Sequence, residues 1–140
     1  MSSIGDIAAG LKANLDAIDG VNVSKYPRTN PVGPLIHMWP SDTIVYHRAN
    51  AMGFTAIEFT VQLLWPYSDD AGSASQVYDF LEPTGARSVR AAIESDRTLG
   101  GAVDQARCES CSGLAVGVTS DNQPRLTAEW RVSIILNGSV

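Results

Sequence analysis

Apolar residues open the chain at the spacing of one helical face: Ile4, Ile7, Ala8, Leu11, Leu15 and Ile18. Ser3 and Asp6 stand as a capping box, and Gly20 is placed to stop the helix. Val21 and Val23 begin a short strand that runs into "YPRTNPVGP", where three prolines and a glycine predict an exposed loop. "LIHMW" is an almost unbroken apolar run, the pattern of a central strand. "TIVYHR" and "FTAIEFTVQLLW" flank "ANAMG" as the two arms of a hairpin. In the second arm Thr55, Ile57, Phe59, Val61, Leu63 and Trp65 share one face, and Glu58, Thr60 and Gln62 share the other, so this strand is half-buried.

Beyond "PYSDDAG" the period changes from two to nearly four. Ser73 and Gln76 form a second capping box ahead of the stripe Val77, Phe80 and Leu81, which predicts a helix ending at "EPTG". Ser88 caps a third, short helix with Val89, Ala92 and Ile93 on its apolar side. The remainder reads as one long hairpin: "ARCESCSGLAVGVT", a turn at "SDNQP", and "RLTAEWRVSIIL". In its last strand Leu126, Ala128, Trp130, Val132, Ile134 and Leu136 alternate with polar neighbours. Helices segregated from hairpins predict a single α+β domain over residues 1–140. Its sheet is largely antiparallel or mixed, with the N-terminal helix and two short helices on one face and a long β-hairpin at the end.

Composition leaves that picture intact and narrows the function. With 44% hydrophobic and 18% charged residues the chain can bury a core, and 140 residues make one domain of ordinary size. A net charge of −5, with ten basic residues scattered along the chain, argues against sequence-specific reading of nucleic acid. The opening "MSSIGDIAAG" lacks the order of a secretory signal, and no apolar run reaches the roughly 20 residues that span a bilayer, so a cytoplasmic origin is expected.

The candidate chemistry is sparse. Gly100–Gly101 follows a helix and precedes a strand, the reverse of the order in a phosphate loop, so the pair is expected to be a structural turn. Cys108 and Cys111 form a lone CxxC, and regular strand alternation would point them to opposite faces. Cys108, in phase with Leu114, Val116 and Val118, is expected to be a small buried hydrophobe. His37 and His47 read as satisfied sheet residues, and Asp69–Asp70 as a solvated turn in preference to a cation site. No GxSxG surrounds any serine. The expectation is a protein with no catalytic residues, no metal and no cofactor.

The stretch "SVRAAIESDRTLGGAVDQAR" and the final hairpin ending in "AEWRVSII" resemble the tail terminator proteins of long-tailed bacteriophages, especially those of actinobacteria. The resemblance extends in order through the opening helix, the proline-rich loop, "YHRANAMGF" and "FTVQLLW". It implies a small subunit of a hexameric ring at the head-proximal end of the tail tube, in the neck of a virion assembled in the host cytoplasm. It implies the major tail tube protein as one partner and a head-completion or stopper protein as the other. Viral DNA would pass through the lumen without sequence-specific binding, and no membrane is involved. A neighbouring head–tail joining protein, or a small ligand-binding or enzymatic domain, is the alternative. The docking surface is expected at the hairpin tip, with Arg48, Asn50, Ala51, Met52, Gly53 and Phe54 facing a partner and Met52 and Phe54 as apolar anchors; the alternative is that Met52 and Phe54 tuck back over the subunit's own core.

Overall fold

A computed structural model describes residues 4–27, 34–41, 56–66, 71–101, 103, 105–113, 115–118 and 124–135. Helix α1, Ile4–Leu15, buries Ile7, Ala8, Leu11 and Leu15 on one face. It ends one turn before the predicted stop. Turn bonds from Asp16 N to Lys12 O and from Ile18 N to Leu15 O carry Ile18 into the core, and Gly20 then takes φ +88°. Ser3 lies outside the described residues.

Strand β1, Asn22–Ser24, pairs in parallel with β2, Leu35–Ser41. β2 runs antiparallel to β3, Ala56–Pro66, with Ile36 opposite Leu63 and Met38 opposite Val61. As its apolar run predicts, β2 is central and buried on both faces through Leu35, Ile36, His37 and Met38. "TIVYHR", the tip "ANAMG", His47 and Asp69–Asp70 lie outside the described residues.

After β3 the chain forms α2, Ala71–Leu81, and α3, Val89–Ile93, which runs into a 3-10 turn at Glu94–Asp96. α2 starts two residues before its expected cap, so Ser73 lies in the first turn and not at the cap position. The Ser88 cap forms as expected: its backbone is extended, and its Oγ accepts from Ala91 N at 3.1 Å and donates to Glu82 O at 2.6 Å.

The final hairpin differs from its predicted form. Its first arm is two strands, β4 (Gln105–Cys111) and β5 (Ala115–Val118), laid one after the other along β6 (Pro124–Ile135). The register slips between Cys108 and Ser110, and the break at Ser112–Gly113 separates the strands. The resulting six-stranded mixed sheet has the order β1-β2-β3-β6-β4, with β5 also on β6. The inward residues of β3 and β6 alternate as the sequence predicts, with Ile57, Phe59, Val61 and Leu63 opposite Ile134, Val132, Trp130 and Ala128. Together with the apolar faces of α1, α2 and α3 they make one α+β core, helices on one side of the sheet.

Candidate functional site

The glycine pair is a turn, and a particular one. Leu99, Gly100 and Gly101 have φ values of 51°, 73° and 91°, a run of left-handed backbone that turns its amides inward. The group they surround is the chain's own Asp96. Its carboxylate accepts from Thr98 N at 3.1 Å, Thr98 Oγ1 at 2.7 Å and Gly100 N at 2.9 Å. The Thr98 hydroxyl and the two amides hold Asp96 below the usual aspartate range. An internal carboxylate thus sits where a phosphate cradle would hold its ligand.

Around this turn the charged residues build structure. Glu94 Oε1 reaches Arg97 at 3.0 Å, while its Oε2 faces Arg90 at 3.8 Å and accepts from Cys108 N at 3.0 Å. With Ala106 N donating to Arg97 O at 2.7 Å, the outward amides of Ala106 and Cys108 are both occupied, which closes the first half of the β4 edge. From α1, Asn14 donates to Ile93 O at 3.1 Å and Asp96 O at 3.0 Å, tying off the end of α3. One turn earlier, Gly10 gives Leu99 room: a Cβ there would lie 2.6 Å from Leu99 Cβ. Sequence reasoning missed Gly10 and Asn14, whose partners lie on other elements, and Glu94, whose contact with Cys108 reaches across to β4.

On the outer face of the sheet a polar row crosses several strands. His37 is buried and meets Gln62 Oε1 at 2.6 Å, while Gln62 Nε2 donates to Glu129 at 3.2 Å. The outward-donating amide fixes the Gln62 oxygen toward His37, so His37 Nε2 carries a proton. Burial lowers the histidine pKa, against the opposing pull of Gln62 and Glu129. Trp39 packs edge-on against its ring at 5.1 Å. His37 is the satisfied sheet residue that its position predicts.

The cysteines need a correction. Cys108 lies opposite Val132 and, because of the register slip, Cys111 lies opposite Trp130, so strand alternation does not separate them. Burial does: Cys108 is buried, its thiol pushed up to about 12 chiefly by desolvation, and Cys111 is exposed. The phase argument also fails past the break, since Val116 is 64% exposed. Among the described residues no cluster of three or more His, Cys, Asp or Glu is placed to hold a metal. A shallow depression of about 160 Å³ lies on the outer face between Thr60, Ser110 and Arg131. Arg48, Asn50, Ala51, Met52, Gly53 and Phe54 lie outside the described residues.

No protein-family model matches the chain, and no curated protein matches it.

Proposed function

We propose that the protein is a structural subunit of a long-tailed bacteriophage, a tail terminator that forms a ring on the head-proximal end of the tail tube. In this reading it stops tube growth and offers its other side to the head connector. The observation that carries the reading is the resemblance of residues 88–107 and of the final hairpin to that family, over a stretch that forms α3, the Asp96-closed turn and β4. The geometry supports it through the employment of the ionisable groups. Asp96 closes its own turn, Glu94 seals a strand edge, His37 lies in a hydrogen-bonded row, and the Cys108 thiol is buried.

Termination by such a subunit needs no reaction. A tube of stacked rings is a head-to-tail assembly that grows until a ring presents a face the next tube ring cannot use. The acidic net charge of −5 suits a ring through which DNA must slide, because a lumen rich in Lys and Arg would hold phosphates. No helix among the described residues is long and apolar enough to cross a membrane.

The test is tail length. Deleting the gene from the phage should yield overlong tails unattached to heads, and supplying the protein in trans should restore both length and attachment. The segment around Met52 is the proposed contact with the tube, so Met52→Asp should give a folded subunit that fails to rescue. Tails of normal length in the deletion, still unattached to heads, would favour the head–tail joining alternative.

A further inference from the structure

The two ends of the sheet are treated differently from its middle. β4 has the outward amides of Cys108 and Ala106 taken by Glu94 and Arg97 and carries a bulge, both devices that prevent a further strand from pairing there. β5 continues the same edge along β6, and among the described residues it shows neither device. Among the described residues it pairs with β6 alone, and its four residues, Ala-Val-Gly-Val, include no charge and no proline. Val116, in its centre, is 64% exposed although its partner Leu126 is buried. At the opposite end of the sheet, β1 carries no charge within its three residues and pairs with β2 alone among the described residues. Tyr26, two residues past its end, is 62% exposed.

Unpaired strand edges ask for another strand, and an exposed apolar side chain beside each edge asks for cover. Both demands occur twice, at opposite ends of one sheet. We propose that β5 of one copy pairs with β1 of the next, joining the sheets and bringing Val116 toward the partner's Tyr26. The inference rests on the ring reading above and names the subunit contact within it. Because donor and acceptor edges lie on opposite sides of the subunit, each copy uses both at once, the heterologous geometry that a closed ring requires. Three or four residues of pairing make a weak contact. Such a ring gains its stability from closure and from docking on the tube.

Disulfide trapping between two variants tests this, with Cys111→Ser in both backgrounds and the buried Cys108 unchanged. Tyr26→Cys and Val116→Cys alter exposed positions, and the two proteins are oxidised with diamide at millimolar concentration, separately and mixed. The mixture should give a covalent heterodimer well above the homodimer in either separate sample. Adding Val116→Lys to the Tyr26→Cys partner should leave that yield unchanged, because the blocked edge is not the one trapped. Adding Gly117→Lys to the Val116→Cys partner places a charge beside the trapped cysteine and should lower the yield by roughly fivefold or more, since charge blocks a pairing edge. A mixture with no heterodimer above background would overturn the contact. So would dominant homodimers of the Val116→Cys variant, which would mean that β5 pairs with itself about a two-fold axis. Because trapping uses purified protein, it can succeed while the tail-length test fails, or fail while that test succeeds, and the two claims separate.

Discussion

Replacing Gly10 with alanine sets two magnitudes against each other. Gly10 is in the middle of α1, where alanine is favoured by about 1 kcal/mol from helix propensity alone. The new Cβ would lie 2.6 Å from Leu99 Cβ, 2.8 Å from Leu99 O and 3.3 Å from Leu99 C. Carbon atoms pack at roughly 3.5–4.0 Å, so the first contact is about 1 Å too close. Neither side can yield easily. Leu99 is buried at φ 51°, with its N–H bonded to Asp96 O at 3.1 Å, and the flanking turn is held by Gly101 N and Val103 N on Thr98 O. α1 is fixed through Ile7, Leu11 and Leu15, each fully buried. Overpacking of this kind costs about 3 kcal/mol when backbone must move, so the clash outweighs propensity and the net loss is about 2 kcal/mol. Urea denaturation should show a lower midpoint at unchanged slope, and thermal melting a drop of about 5–10 °C. A midpoint equal to or above that of the wild type would refute the close approach of α1 to the turn.

Asn14→Ala removes two hydrogen bonds to the end of α3 and should cost about 1–3 kcal/mol by the same urea assay. Asp96 should make stability acid-sensitive. Its folded pKa is depressed below the unfolded value of about 3.9, so its contribution is present above that pH and is lost as pH falls through the folded pKa. Urea melts between neutral pH and strong acid should therefore converge for the wild type and Asp96→Asn, with the wild type the more stable at neutral pH; parallel curves would remove Asp96 from the turn's stabilisation. At pH 8, maleimide followed by mass spectrometry should modify Cys111 in the folded protein, and Cys108 after unfolding, because the Cys108 thiol is buried with a pKa near 12.

The parts of the fold legible in the sequence are those whose signal is local. The alternation from Ile57 to Trp65 and from Leu126 to Ile134 marks strands because inward and outward positions repeat within each segment. Ser88 is legible as a cap because its partner, Ala91, is three residues away. Gly100–Gly101 is legible as a turn from the order of its flanking elements, but Asp96 as the group it encloses is not, since an aspartate and a threonine two residues apart fit many loops. The bulge at Cys108 and Ser110 is written in the pairing of β4 with β6, so a strand read by itself places Cys108 and Cys111 on opposite faces. Gly10 reads as an ordinary helix glycine until Leu99, far along the chain, is packed against it. The hydrophobic period likewise predicts which side of β5 matches the core but not where the helices stop covering it, which leaves Val116 exposed.

The most direct test of the proposed role is cryo-electron microscopy of the intact phage neck with this chain fitted into the density. The account predicts six copies in a ring between the first tube ring and the head connector, with neighbouring sheets joined edge to edge. Density for the chain elsewhere in the particle, or in a ring of another copy number, would contradict it.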